Sequence, residues 1–156
     1  MAGKLAFLFV CLGNICRSPL AEAAFKAEAA RIGLDAEVDS AGIGGWHAGE
    51  PPDPRARAVA KRHGMDISLY RARKVTQADF RRFSHVVALD HEVLAALKAM
   101  RPANAGAKIS LLLDHVEGRK DEEVADPYYG DEAGFETAWA DIADGVKALA
   151  RRAAKK

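Results

Sequence analysis

Cysteine is scarce: Cys11 and Cys16 are the only two in 156 residues, too few and too close together to frame a secreted disulfide scaffold. A reducing, cytoplasmic setting is the expectation. Their spacing matches neither C-x2-C nor a zinc pattern, and the five histidines show no metal-ligand spacing, so no metal and no cofactor is expected. An excess of one charge is also missing. The 23 Lys and Arg against 22 Asp and Glu leave a formal charge of +1, which argues against affinity for nucleic acid built on neutralising many phosphates. Nor is there a long apolar run. Leu5 to Leu12 is eight residues with no small-x-small cleavage pattern after it, against the roughly 20 that span a bilayer, so no membrane association is expected. At 49% hydrophobic and 29% charged, the chain has the composition of one domain over residues 1–156, able to bury about 70% of its unfolded surface.

The apolar run Leu5 to Val10 has no helical alternation and reads as a strand buried on both faces. An Ala-rich helix follows from Ser18, with Pro19 suited to its first position and Gly33 to its stop. The rhythm then repeats. Glu37 to Ala41 reads as a strand, Gly42 to Pro52 as a long loop, and Asp53-Pro54 as the start of a helix ending near Gly64. Thr76-x-x-Asp79 resembles a capping box, Ser84 to Leu89 and Ile109 to Leu113 read as strands, and Val93, Leu94, Leu97 and Met100 form one helix face between them. Phe135, Trp139, Ile142, Val146 and Leu149 mark the buried stripe of a closing helix. Four strands alternating with helices imply an α/β fold with a parallel sheet covered on both faces, and ligands then sit at the carboxyl ends of strands.

Cys11 occupies that position. Cys11-Leu12-Gly13-Asn14-Ile15-Cys16-Arg17-Ser18 puts a thiol and a guanidinium around a short loop that enters a helix, an arrangement suited to an oxyanion. Successive backbone N–H groups can turn inward, the helix N-terminus adds positive potential, and Arg17 offers a planar fork for two oxygens. The same field stabilises a thiolate, to which the Ser18 hydroxyl can donate.

The run from Val10 to Pro19 resembles the signature loop of the low-molecular-weight protein tyrosine phosphatases, and Asp39-Ser40-Ala41-Gly42, Gly45-Trp46-His47, Asp53-Pro54-Arg55-Ala56, His63-Gly64 and Asp126-Pro127-Tyr128-Tyr129-Gly130 are similar to that family in type and order. The resemblance implies a four-stranded parallel sheet with helices on both faces, doubly wound and phosphotyrosine phosphatase I-like. It also implies metal-independent hydrolysis of phosphotyrosine or a small aryl phosphate through a cysteinyl-phosphate. By the same resemblance Cys11 is the nucleophile, Arg17 the phosphate clamp, and Asp126 the general acid and base. Leu12, Gly13, Asn14, Ile15, Cys16 and Ser18 form the phosphate-binding loop. Ser40 and His63 support it, His63 in the place of a histidine that bonds the loop asparagine. Trp46, Tyr128 and Tyr129 are implied to wall a deep pocket for a phenyl ring. A cognate tyrosine kinase is an implied partner, and the Cys11 and Cys16 pair resembles a redox guard.

The residues alone leave other readings open. Cys11 could be a buried thiol at a strand end, Asp126-Pro127 a turn signal, and the three aromatics loop packing. His63, on the apolar spacing of Ala56 and Val59, also fits a structural histidine. Arsenate reduction on the same fold and a noncatalytic phosphate-binding or redox-sensing module are the rival functions. The first is disfavoured because no cysteine follows Cys16.

Overall fold

In the computed structural model, which describes residues 4–155, four parallel strands lie in the order β2-β1-β3-β4. They are β1 (Leu5–Cys11), β2 (Ala36–Gly42), β3 (His85–Ala88) and β4 (Lys108–Leu111), joined by α1 (Arg17–Ile32), α2 (Pro54–Arg62), the single turn α3 (Asp79–Arg82) and α4 (His91–Met100). A 3-10 turn at Leu112–His115 and the long α5 (Glu132–Ala154) complete the order. The α/β class and the parallel sheet covered on both faces are as the sequence rhythm predicts, and the four-stranded doubly wound arrangement is as the resemblance implies.

The alternation of β1 sorts the core. Phe7, Phe9 and Cys11 face α1, α2 and α5, while Ala6, Leu8 and Val10 face Phe80, Phe83 and the Val93 and Leu97 side of α4. Phe25 of α1 packs on Phe7 and Phe9 with ring centroids 4.5 and 5.5 Å away, and burial of each such ring contributes about 1.5–3 kcal/mol. Because the chain steps from β1 outward to β2 at one edge and then back past β1 to β3, the crevice beyond the carboxyl end of β1 lies where the strand order reverses. Cys11 ends that strand.

Helix starts follow their caps. Asp53, Asp90 and Asp131 each accept a backbone N–H at the N-terminus of α2, α4 and α5, at 2.8, 2.8 and 3.1 Å. Helix α1 differs, since Cys16 supplies no side-chain cap and its first turn carries no acid. It also begins at Arg17, so that Pro19 sits in the third helical position rather than the first; its missing N–H still falls among those that have no partner within the helix. Gly33 closes α1 at φ 73°, a left-handed conformation that favours glycine. Thr76 and Asp79 do pair, Asp79 accepting from Thr76 N at 2.8 Å, but the helix they start is only four residues long.

Candidate active site

The loop after β1 is shaped around the Cys11 sulfur. Asn14 adopts φ 60°, which turns its backbone N–H back to Cys11 Sγ at 3.3 Å. Asparagine tolerates this region better than most residues. Its side chain fastens the turn: Nδ2 donates to Ser18 Oγ at 2.7 Å and Ser40 Oγ at 3.0 Å, and Oδ1 accepts from Arg73 N at 3.0 Å. Ser18 Oγ, having accepted from Asn14, lies 2.9 Å from Cys11 Sγ, within reach to donate its proton to sulfur, the other acceptor near it being Ala41 O at 3.4 Å. Ser40 in turn donates to Glu22 at 2.7 Å, and Lys26 donates to the same carboxylate at 2.7 Å. Burial raises the Glu22 carboxyl above its ordinary range, against the opposing pull of Lys26 and Ser40. At Gly42, opposite Cys11 across β2, an added Cβ would meet Leu12 O and Gly13 C at 3.0 Å. The loop packs there only against a glycine.

Arg17 is 2% exposed, and its guanidinium is aimed by parts of the chain far from it in sequence. Nη1 donates to Asp90 Oδ2 at 2.7 Å and Val124 O at 2.9 Å, and Nη2 lies 3.5 Å from Asp126 Oδ2. Burial works against its charge, but Cys11, Asp90 and Asp126 outweigh it and hold the group above its ordinary value. The Nε–H, also buried, has no partner among the described residues. Above it opens a pocket of about 310 Å³ lined by Cys11, Leu12, Gly13, Ile15, Cys16, Arg17, Trp46, His47, Asp126, Tyr128 and Tyr129. Burial foremost, then Asp53, pushes the Cys16 thiol well above its usual value, so it stays protonated near neutrality.

Most residues expected at the site therefore converge on it, with two differences. Trp46 and Tyr129 are 68% and 95% exposed, so they stand at the mouth, while Tyr128 with Ile15 forms the wall. His63 does not support Asn14. Because α2 ends at Arg62, His63 follows it on the outer surface, stacks on Trp139 at 4.7 Å and approaches Glu136 Oε2 at 3.1 Å. The support expected from it comes from Ser40 and the Arg73 backbone instead. Asp90, Glu22 and Arg73 have no site role assigned from the sequence, where Arg73 reads as part of a solvated basic cluster with Arg71 and Lys74. Only the placement of Asp90 after a strand and before a helix hints at it, and that signal says cap rather than arginine partner. Among the described residues, no three His, Cys, Asp or Glu side chains converge as a metal site, and no helix is long and apolar enough to cross a membrane.

A loop of this shape, filled with an arginine at the end of a central strand, has known counterparts. The family model for low molecular weight phosphotyrosine protein phosphatase matches residues 6–156. The chain belongs to that family. A low molecular weight phosphotyrosine protein phosphatase of Schizosaccharomyces pombe is 39% identical over 147 residues, 92% of this chain and 94% of the relative. The crystal structure of a protein tyrosine phosphatase from Entamoeba histolytica, with Hepes in its active site, superposes with a TM-score of 0.92 at 35% identity, covering 97% of this chain and 98% of that one. A Drosophila arginine phosphatase superposes with a TM-score of 0.89 at 32% identity over 94% and 96% of the two chains. This low-molecular-weight phosphatase is thus an enzyme of phosphate-ester cleavage on the family's sheet.

Proposed function

We propose that the protein hydrolyses phosphotyrosine and small aryl phosphates through a phosphoryl group carried on Cys11. The observation that carries this reading is the unpartnered Arg17 Nε–H behind an uncapped helix N-terminus. Both present donors to a tetrahedral anion seated above the Cys11 sulfur. In the first step the Cys11 thiolate attacks phosphorus, the S–P bond forms, and the P–O bond to the aryl group breaks. Asp126 gives its proton to the departing oxygen. In the second step Asp126 takes a proton from water, whose oxygen attacks phosphorus. The S–P bond breaks and inorganic phosphate leaves with Cys11 again a thiolate. Ser18 donates to that thiolate in both steps, and Asn14 and Ser40 keep Ser18 turned toward it. Residues 1–156 act as one domain in this account, without metal.

Ile15, Tyr128 and Trp46 offer an aryl ring apolar contact on its way to Cys11, and phosphoserine is too short to reach past them. Phosphoarginine would bring a guanidinium, for which the lining supplies no carboxylate beyond Asp126. A tyrosine kinase supplies the substrate, and the reducing cytoplasm keeps Cys11 reduced. Peroxide oxidises Cys11 to a sulfenic acid; the Cys16 sulfur then bonds to the Cys11 sulfur as the S–O bond breaks, the hydroxyl leaves as water with the Cys16 proton, and added thiol reverses the disulfide. After peroxide treatment, Cys16→Ser should recover far less activity with thiol than the wild type does; equal recovery removes the guard.

The reading is tested by hydrolysis of p-nitrophenyl phosphate with EDTA present. Turnover that survives EDTA and falls by at least about 10⁴-fold in Cys11→Ser is expected. A reduced, folded wild type without turnover would leave a phosphate-binding module, and turnover of phosphoserine or phosphoarginine equal to phosphotyrosine would overturn the aryl assignment.

A further inference from the structure

Arg55, which does not line the pocket, joins the segment that carries Asp126 to the rest of the molecule. Asp53 caps α2 by accepting from Arg55 N at 2.8 Å, and the same carboxylate takes Arg55 Nε and Nη2 at 3.0 Å each. The guanidinium is thereby fixed in one orientation. Its other N–H groups reach across to the acid loop, Nη2 to Tyr128 O at 2.8 Å and Nη1 to Gly130 O at 3.0 Å. It lies over the Phe135 ring, 4.7 Å from the centroid, at the start of α5. Among the described residues, the hydrogen bonds that reach Pro127 to Gly130 from elsewhere in the chain come from Arg55. Asp53 N also donates to Ile15 O at 2.8 Å, so the Asp53 and Arg55 unit touches the phosphate loop on one side and the acid loop on the other.

We propose that Arg55 is a positioning residue for the general acid, holding Asp126 over the leaving-group oxygen by gripping the Tyr128 and Gly130 carbonyls. The linkage to Asp126 is short. Tyr128 is held on both sides, its carbonyl by Arg55 and its N–H by Asp126 Oδ1 at 3.1 Å, so freeing the first lets the second drift. Misplacement of a reacting group by about 1 Å costs up to about 100-fold in rate. Arginine is required because one planar fork must serve a carboxylate and two carbonyls together, which a lysine ammonium cannot do. The proposal rests on Asp126 as general acid, and its test is built to separate the two.

Steady-state kcat/KM is measured for phenyl phosphate, whose leaving group needs a proton, and for p-nitrophenyl phosphate, whose leaving group needs it far less. Wild type, Arg55→Met, Asp126→Asn and the double variant are compared. Arg55→Met should lower kcat/KM about 10-fold for phenyl phosphate and about 2-fold or less for p-nitrophenyl phosphate, with the inhibition constant of inorganic phosphate unchanged. In the Asp126→Asn background it should add nothing. Equal losses on both substrates, the same loss without Asp126, or no loss would overturn the latch. If Asp126→Asn itself shows no leaving-group dependence, the acid assignment fails, and the latch with it; a normal Asp126→Asn result with an inert Arg55→Met defeats the latch alone. Should Arg55→Met not fold, Arg55→Lys carries the test with the same signature. Hydrogen exchange gives an independent readout: amides of residues 128–130 should exchange faster in the variant while those of 12–16 stay protected, and faster exchange in both segments contradicts the proposal.

Discussion

Asn14 and Ser18, in the loop beneath the phosphate site, are 3% and 0% exposed and bonded to each other at 2.7 Å; across the pocket, Tyr129 is 95% exposed and the Asp126 side chain 38%. In the proposed mechanism the two segments meet different demands of one reaction. Phosphoryl oxygens need the same donors in both steps, so the lower loop is locked by hydrogen bonds running inward from the half-exposed Lys26 through the buried Glu22, Ser40, Asn14 and Ser18 to Cys11. The upper loop must release a phenol and admit water, so it is held by few bonds and is the more open of the two. Rigidity is placed where the charge develops, and access where the leaving group passes.

Substitutions that divide the two segments sharpen this contrast. Arg17→Lys, which keeps the charge but loses the planar fork, should lower kcat/KM about 10³-fold; a loss under about 10-fold would mean the lower loop tolerates change after all. Acidification checks that losses at low pH are not ascribed to either loop. Burial and the neighbouring Arg152 charge, against Asp114, push His115 down to about 4 from 6.5, with Arg152 Nη1 3.1 Å from its Nδ1 and Ser110 Oγ 2.9 Å from its Nε2. The unfolded chain takes up this proton first as pH falls. The contribution of His115 to stability is therefore full above about pH 6.5 and is lost through the window down to about pH 4, about 2 kcal/mol once screening of the partly exposed ring is allowed for. Urea midpoints should show that decline reduced in His115→Gln, and an equal decline in both proteins would contradict it. Asn14→Ala, which removes three hydrogen bonds and places alanine at φ 60°, should cost about 30-fold in kcat. Tyr129→Ala should change kcat/KM about 2-fold or less, and a loss as large as that of Asn14→Ala would erase the contrast.

What the sequence showed and what it hid follow the same division by distance along the chain. Strand β1 is legible because Leu5 to Val10 is apolar throughout, and the Cys11 to Ser18 loop because its chemical groups are contiguous. Asp126 is recognisable only by resemblance, since Asp-Pro alone says turn. The partners that aim these groups are hidden by separation: Asp90 reaches Arg17 across 73 residues and Arg73 reaches Asn14 across 59. His63 was misplaced for a local reason. Its spacing from Ala56 and Val59 continues an apolar face only while the helix lasts, and α2 stops one residue short of it. Trp139, read as core from the α5 stripe, is 8% exposed, with that histidine stacked on it.

The central claim is that phosphorus passes through sulfur at the end of β1. Mixing the wild type with excess p-nitrophenyl phosphate, quenching in acid within the first turnovers and weighing the peptides tests it directly. The account predicts one added phosphoryl group on the peptide holding Cys11 and none in Cys11→Ser. Phosphoryl on another residue, or full turnover by Cys11→Ser, would contradict it.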